Sequence, residues 1–271
     1  MYPTTYRRPK TLVEAKRLFD ASENASFLSG GHTLLPAMKL RLASPSDLID
    51  LGAIPELRGI RLEGRALVIG AATIHADVAA SPLVRQHIPA LAELAGSIGD
   101  RHVRHRGTIG GSVSNNDPAA DYPSAVLGLG ATIVTDKRRI AADDFFVGLY
   151  QTARAPDEIV TRIEFPVPDI AGYAKFLSPA SRFSIAGVFI AKSGRTVRVA
   201  VTGAGSGGAF RAAALESALI ADFRAQALAA CKIDPAGMMG DQNGTPEYRA
   251  NLVIVMARRA MENLGAITVC K

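Results

Sequence analysis

Two glycine-rich stretches decide the expected fold of this chain: "LSGGHTLLP" at residues 28–36 and "RGTIGGSVSNNDPAADYP" at residues 106–123. Each contains a glycine pair, Gly30–Gly31 or Gly110–Gly111, with hydroxyl residues close by. Glycine tolerates positive φ and lets a ligand approach the backbone, so successive N–H groups can face an anion. We therefore expect the two loops, 80 residues apart, to hold opposite sides of one diphosphate. A glycine pair also makes ordinary tight turns, and spacing alone leaves that alternative open.

The residues around the loops predict alternating helices and strands. Thr11 and Glu14 form a capping box for a helix over residues 12–19, and residues 26–31 read as a strand that runs into the first loop. A second helix is predicted to begin near Leu34, and another covers residues 89–98 before the second loop. Further strands are predicted within residues 46–52, 66–74 and 122–135, the last after a helical start.

The pattern changes near "FPVPDIAGYAKF" at residues 165–176, where two prolines and a glycine interrupt it. Beyond that point we predict a strand at 196–205, a helix at 210–232, a loop at 234–246 and a closing helix at 247–264. This last part has the size of a small α+β domain.

Composition excludes several classes of protein. A chain of 271 residues exceeds most single cores and fits two or three compact units. Hydrophobic residues make up 48% of it, yet no apolar run approaches the roughly 20 residues of a membrane span. Residues 1–12 lack the apolar segment of a secretory signal, so we expect a cytoplasmic protein.

Charge and cysteine content limit the kinds of ligand and partner that we expect for this chain. The net charge of +6 comes from scattered basic residues, aromatic residues are only 6%, and no nucleic-acid-binding motif is present, so we do not expect nucleic-acid binding. Cys231 and Cys270 are half of what an iron–sulfur cluster normally requires. Any such cluster must therefore be on another chain.

Two other motifs suggest different ligands but have less support than the two glycine loops. The segment "TGAGSGG" at residues 202–208 satisfies the dinucleotide-binding fingerprint. That fold needs a second parallel strand after the helix, whereas residues 222–232 continue the helical pattern, so nicotinamide binding is not expected there. His102 and His105 form H-x-x-H among arginines that would repel a metal ion, and a third ligand is missing, so no metal site is expected.

Four segments together closely resemble the FAD-binding medium subunit of the molybdenum hydroxylases, the family of carbon monoxide dehydrogenase and xanthine dehydrogenase. They are "RPKTLVEAKRLF" (8–19), "LSGGHTLLPAMKLRLASPSDLIDLG" (28–52), "VRHRGTIGGSVSNNDPAADYP" (103–123) and "YRANLVIVMARRAME" (248–262). The resemblance extends over nearly the whole chain. It implies an α+β fold with a two-part FAD-binding domain of the vanillyl-alcohol-oxidase (PCMH) type, followed by a small α+β C-terminal domain.

The resemblance also implies domain limits and a binding site. The FAD-binding domain would cover residues 1–175, with subdomains of about 1–55 and 56–175, and the C-terminal domain residues 176–271. Asn115 and Asp121 would lie toward the adenosine half of FAD. The residues alone suggest that Asp121 either accepts from ribose hydroxyls or caps the helix near Pro123. The implied FAD-binding residues are Leu28, Ser29, Gly30, Gly31, His32, Thr33, Leu34, Ile98, Thr108, Ile109, Gly110, Gly111, Ser112, Asn115, Asp121, Val160 and Lys175, of which Ile98, Val160 and Lys175 would lie nearer the flavin.

By the same resemblance the chain is an oxidoreductase subunit. It would take electrons from a 2Fe–2S small subunit and pass them to an external acceptor such as NAD, a quinone or dioxygen. Substrate oxidation would occur on a molybdopterin large subunit, in a dimer of heterotrimers, and this chain would contribute no catalytic or metal-ligating residue. FAD would be non-covalent, because no cysteine is near the loops and His32 is expected to face the phosphates. A self-sufficient flavin oxidase and a non-enzymatic nucleotide-binding protein remain alternatives.

Overall fold

The computed structural model describes residues 1–265, whose strands form three sheets and a short hairpin. Helices accompany two larger antiparallel sheets and one small parallel sheet, so the predicted α+β class is confirmed. Within the described residues, no helix combines the length and the apolar character that crossing a membrane requires.

A small parallel sheet forms the N-terminal part. Its strands lie in the order β1-β3-β2 and cover a core that includes Ala15, Ile49 and Ile54. The predicted cap is confirmed, because the Thr11 hydroxyl accepts from the Glu14 N–H and the Glu14 carboxylate accepts from the Lys10 N–H. The elements of this part are β1 (Thr5–Arg7), α1 (Leu12–Asp20), β2 (Ala25–Leu28), α2 (Leu34–Lys39) and β3 (Asp47–Asp50).

A five-stranded antiparallel sheet forms the middle part, with the strand order β4-β5-β10-β6-β7. Helices α5, α7 and α8 lie in the largest core cluster with the strands of this sheet. The predicted helix over residues 89–98 and the helix-then-strand pattern of residues 122–135 are confirmed. The elements are β4 (Ile60–Glu63), β5 (Ala66–Gly70), α3 (His75–Ala80), α4 (Pro82–His87), α5 (Pro89–Ser97), α6 (Arg101–Arg104), α7 (Ile109–Asn115), α8 (Tyr122–Gly128), β6 (Thr132–Thr135), β7 (Arg139–Ala141), α9 (Ala142–Phe145), β8 (Phe146–Gly148), β9 (Gln151–Thr152) and β10 (Val160–Pro166).

A four-stranded antiparallel sheet, β11-β12-β13-β14, forms the C-terminal part. Residues of one face, such as Tyr173 and Phe189, belong to the core shared with the middle part, and Val188 and Ile190 belong to the core beneath the last helix. The predicted closing helix is confirmed. The elements are β11 (Ile170–Leu177), β12 (Ser184–Ser193), β13 (Thr196–Thr202), β14 (Phe210–Arg211), α10 (Ala213–Ala221) and α11 (Pro246–Glu262).

Two expectations differ from the observed elements. The division expected after Lys175 falls inside β11, which pairs with β12 along its whole length. The helix predicted over residues 210–232 is wrong beyond Ala221, because Asp222 is extended, with φ −147° and ψ 105°. The Phe223 side chain then packs against the C-terminal core, with the Lys192 ammonium 4.6 Å from its ring centre.

Candidate functional site

The first glycine loop, residues 29–33, lies at the carboxyl edge of the small parallel sheet. It follows β2, whose last residue, Leu28, pairs with Asp50 at the end of β3. Gly31 has φ +76°, a conformation that residues with a side chain rarely adopt. Within residues 1–265, the N–H groups of residues 30–33 donate to no acceptor. The loop therefore presents four consecutive free donors, an arrangement that suits an anion.

The second glycine loop uses its N–H groups differently. The Ile109 N–H donates to Thr73 O at 3.1 Å, and the Gly110 N–H donates to Ala71 O at 2.8 Å. The Gly111 N–H donates to the Thr108 hydroxyl, which caps α7, at 3.1 Å. We expected both loops to present free N–H groups, but segment 71–75 and the cap already engage those of the second loop.

The structure brings the two predicted loops together. The Ser29 and Thr108 hydroxyl oxygens are 2.8 Å apart. A Cβ on Gly30 would lie 2.5 Å from Arg106 O and 2.7 Å from Gly107 Cα, so glycine is what allows the loops to touch. The contact leaves the free donors of the first loop beside the hydroxyl groups of the second.

Gly110 has a different partner. A Cβ on this residue would lie 2.5 Å from Ala71 Cβ and 2.7 Å from Ala71 O. Gly110 is therefore required for packing of α7 on the end of β5, and not only for approach of a ligand.

His75 is a site residue that the sequence analysis missed. Its N–H donates to Gly107 O at 3.0 Å, and its Nε2 lies 2.5 Å from where a Cβ on Gly107 would be. Burial lowers the pKa of the imidazole to about 4, and the nearby charges of His32 and Arg104 add to the shift. The neutral His75 therefore packs against Gly107, at the start of the second loop.

The His75 ring lies 5.3 Å from the ring of Tyr122, which is also buried. The Nδ1 of His75 and the hydroxyl of Tyr122 have no hydrogen-bond partner in the described chain. No glycine or repeated motif marks His75 in the sequence, and its position at the start of α3 is its only signal.

A second cluster gathers three predicted residues that are distant in sequence. The Lys175 ammonium donates to Asp121 at 3.1 Å and to Ser97 O, next to Ile98, at 3.1 Å. The side chains of Lys175 and Asp121 are both only 5% exposed. Asp121 and Lys175 therefore form a buried ion pair, and the half-buried Ile98 lies next to the carbonyl that Lys175 also contacts.

The Asp121 carboxylate accepts hydrogen bonds from three side chains in this structure. It also accepts from the Tyr173 hydroxyl and, at 2.8 Å, from the Ser184 hydroxyl. Burial raises the pKa of Tyr173 well above its ordinary value, which keeps this hydroxyl a donor. Asp121 stands at the start of α8 but makes no side-chain capping bond, so the capping alternative is wrong.

Two further predicted residues lie on neighbouring elements. Asn115 is the half-buried last residue of α7. Val160 begins β10 and is buried in the same core cluster as Ile109. Asn115 therefore lies on the helix that carries the second loop, and Val160 lies in the core against which that helix packs.

The rival motifs have structural explanations. β13 pairs antiparallel with both of its neighbours, whereas the dinucleotide fingerprint requires parallel strands. A Cβ on Gly203 would lie 2.2 Å from Ser184 O, and Gly203 O accepts from the buried Arg249 at 2.6 Å. In the described residues, no group of three or more histidine, cysteine or acidic side chains could hold a metal ion.

Comparisons with known proteins point to one family. Residues 2–168 match the model of the FAD binding domain in molybdopterin dehydrogenase. The carbon monoxide dehydrogenase medium chain of Hydrogenophaga pseudoflava is 37% identical, over 94% of this chain and 95% of that one. The nicotine 6-hydroxylase medium subunit of Paenarthrobacter nicotinovorans is 33% identical, over 97% and 98%.

Solved structures of similar enzymes share the fold of this chain. Reconstituted CO dehydrogenase from Oligotropha carboxidovorans superimposes with a TM-score of 0.86 at 33% identity, covering 97% of this chain and 98% of that one. Quinoline 2-oxidoreductase from Pseudomonas putida 86 gives a TM-score of 0.85 at 26% identity, covering 96% and 95%.

Proposed function

The chain belongs to the family of FAD-binding domains of molybdopterin dehydrogenases, and from that membership we propose that its two glycine loops hold the diphosphate of FAD. It is an FAD-binding medium subunit of a heteromeric molybdenum hydroxylase, with the molybdenum and 2Fe–2S centres on other subunits. The observation that carries the proposal is the row of four free N–H groups at residues 30–33, beside the second loop. A diphosphate is an anion that such a row can bind.

The residues divide the binding of FAD between them. The N–H groups of residues 30–33 bind phosphate oxygens, and the hydroxyls of Ser29, Thr108 and Ser112 complete the site. Leu28, Leu34, Ile109 and Gly111 shape the two loops. When bound, FAD supplies the redox chemistry, while the protein supplies binding, orientation and electrostatics.

The buried group around Asp121 serves the remainder of the cofactor. We assign Asn115 and Asp121 to the adenosine half, and Ile98, Val160 and Lys175 to the side nearer the flavin. The Lys175 ammonium donates to both the Asp121 carboxylate and the Ser97 carbonyl, so the residues of the two assignments meet at this side chain. Because a carboxylate can accept about four hydrogen bonds, the Asp121 carboxylate can still accept one from a ribose hydroxyl.

The proposed domain limits follow the sheets. The FAD-binding domain comprises the small parallel sheet and the five-stranded sheet, which ends at Pro166. We place the division from the C-terminal domain between Pro166 and Ile170, so that β11 remains whole. The subdomain division near residue 55 lies between the two sheets of the FAD-binding domain.

The assembly and its electron path are also proposals. We propose a dimer of heterotrimers in the cytoplasm, in which this chain takes electrons from the 2Fe–2S subunit and delivers them to NAD, a quinone or dioxygen. A sequence with only two cysteines supports both a cluster on another chain and a reducing compartment.

Flavin release tests how the cofactor is held. The chain is reconstituted with FAD, freed of excess flavin and precipitated with acid. We expect one FAD per chain, all of it in the supernatant. Flavin in the pellet would contradict non-covalent binding, and a folded chain that takes up no FAD would support the non-enzymatic alternative.

Stopped-flow absorbance tests the division of labour between subunits. Carbon monoxide, glyceraldehyde and nicotine are mixed in turn with the isolated FAD-loaded chain and with the complete complex. We expect no rapid flavin bleaching in the isolated chain, and bleaching of the complex by its own substrate. Rapid bleaching of the isolated chain would establish a self-sufficient oxidase instead.

A further inference from the structure

Three consecutive carbonyl groups at the end of α5 accept hydrogen bonds from cations. Ser97 O accepts from the Lys175 ammonium at 3.1 Å. Ile98 O and Gly99 O both accept from Nη1 of Arg104, at 3.0 and 3.1 Å. The backbone of Ile98, the residue that we assign to the flavin side, is therefore fixed between two positively charged side chains.

The local structure of the turn between α5 and α6 explains how Arg104 reaches these carbonyls. Gly99 has φ +48°, and a Cβ on it would lie 2.9 Å from Val103 Cβ. The Asp100 carboxylate caps α6 by accepting from the Val103 N–H. The Gly107 N–H then donates to Val103 O at 2.7 Å. Arg104 therefore lies on a fixed connection between the flavin side and the second loop.

The charges of the two cations are balanced differently. The Lys175 ammonium is paired with the buried Asp121 carboxylate at 3.1 Å. Within residues 1–265, no carboxylate forms an ion pair with the half-buried Arg104. Asp100, the acidic residue nearest to it in sequence, is exposed to solvent, which screens its charge. Arg104 therefore keeps an uncompensated positive charge.

The charge of Arg104 also acts near the contact between the two loops. Burial lowers the pKa of His75, and the charges of His32 and Arg104 add to the shift. His75 packs against Gly107 in the second loop, and His32 belongs to the first loop. Arg104 thus lies between Ile98, on the flavin side, and the loops that we assign to the diphosphate.

We propose that Arg104 is a positioning residue for the flavin of FAD and that its charge favours the reduced cofactor. This inference rests on the proposed function, which supplies FAD and the place of Ile98 beside the flavin. Electrons added to the flavin bring negative charge, and a nearby cation without an acidic partner stabilises that charge. Arg104 therefore raises the reduction potential of the bound flavin, whereas the Lys175–Asp121 pair has no net charge and contributes less.

Arg104→Gln tests the charge, because glutamine is neutral but retains an N–H donor for the carbonyls of the turn. The full chain is loaded with FAD and reduced in steps beside a reference dye of known potential, and absorbance gives the ratio of oxidised to reduced flavin. We expect this equilibrium to move about tenfold toward oxidised flavin, which is about 30 mV for a two-electron couple. Arg104→Lys, which keeps the charge, should retain the wild-type potential.

Arg101→Gln is the matched control. Arg101 lies on the same short helix, is exposed and also forms no ion pair within the part of the chain that the structure describes. Its substitution changes the net charge of the chain by the same amount, and we expect the flavin potential of wild type. FAD affinity and Tm are measured for each variant, because a purely structural role of Arg104 would change these quantities and leave the potential unchanged.

The outcomes separate this inference from the proposed function. A folded wild-type chain that takes up no FAD would contradict the proposed function itself. An FAD-loaded Arg104→Gln chain with the wild-type potential, or an equal shift in Arg101→Gln, would overturn the inference alone. If Arg104→Gln holds no FAD, Arg104→Lys decides: a tenfold shift in this charged variant would overturn the inference, and the wild-type potential would support it.

Discussion

The two glycine loops look alike in sequence but do different work in the structure. In the first loop, residues 30–33 keep their N–H groups free. In the second loop, Ile109 and Gly110 donate to the carbonyls of Thr73 and Ala71. We therefore propose that the first loop binds the diphosphate and that the second loop holds the first in place and adds hydroxyl groups.

The difference shows that a glycine pair can have two physical causes. Gly31 needs glycine because of its positive φ, whereas Gly110 needs it because Ala71 occupies the space of a side chain. Substitutions in the two loops should therefore fail in different ways, one through the cofactor and the other through the fold.

The largest effect is expected from Gly110→Val. Its side chain would overlap Ala71 and separate α7 from β5, which should lower the free energy of unfolding by about 3 kcal/mol or more. Urea unfolding of the FAD-free chain measures this cost. Gly207→Val is the control, because a Cβ there meets nothing within 4 Å. If Gly110→Val were as stable as wild type and lost only FAD, the scaffold role would be wrong.

Gly30→Val should act on the cofactor. The added side chain would meet Arg106 O and Gly107 Cα and force the loops apart, so we expect FAD affinity to fall at least about 100-fold, near 3 kcal/mol. Flavin fluorescence titration gives the affinity, and urea unfolding of the FAD-free chain should show a smaller loss of stability than for Gly110→Val. Wild-type affinity in this variant would show that contact between the loops is dispensable.

Acid should lower the free energy of unfolding, because His75, which packs against the second loop, is neutral in the folded chain. Its pKa is lowered to about 4 in the folded chain, against about 6.5 when unfolded, so the neutral form is the stable one. This contribution is complete above pH 6.5 and is lost as the pH falls toward 4, with about 2 kcal/mol lost by pH 4.5.

Urea unfolding at pH 7.5 and 4.5 measures this loss, and His75→Gln should show a smaller decrease between the two values. Carboxylates contribute mainly below that range, because their ordinary pKa values are near 4. An equal decrease in wild type and variant would show that His75 is not the group responsible.

The smallest effect on FAD is expected from Gly208→Val, in the segment 202–208 that satisfies the dinucleotide-binding fingerprint. Gly208 has φ +101°, so valine should cost about 1 kcal/mol of stability, with FAD retention unchanged. The ratio of flavin to protein after gel filtration checks this. A folded Gly208→Val chain that lost FAD, beside a Gly30→Val chain that kept it, would reverse the assignment of the site.

From the sequence we expected the two loops to lie on opposite sides of one diphosphate, and in the structure they are in contact. Glycine pairs flanked by hydroxyl residues, one after a strand and one before a helix, are local signals. The free and engaged states of the N–H groups could not be predicted, because they depend on segment 71–75, which pairs with the second loop across more than thirty residues. His75 was missed for the same reason.

Other differences also arise from tertiary contacts. Residues 222–232 have a helical composition, but Phe223 leaves the helix to reach the core. The prolines before Ile170 correctly mark a change of sheet, but β11 begins directly after them. Asp121 was predicted from its position in a motif, and its contacts with Lys175, Tyr173 and Ser184 come from strands more than fifty residues away.

A crystal structure of the chain with FAD bound tests the division between the loops most directly. We predict phosphate oxygens within hydrogen-bond distance of the N–H groups of residues 30–33, with the Ile109 and Gly110 N–H groups still bonded to Thr73 and Ala71. A diphosphate bound instead by the N–H groups of Ile109 and Gly110, with residues 30–33 turned away, would contradict the account.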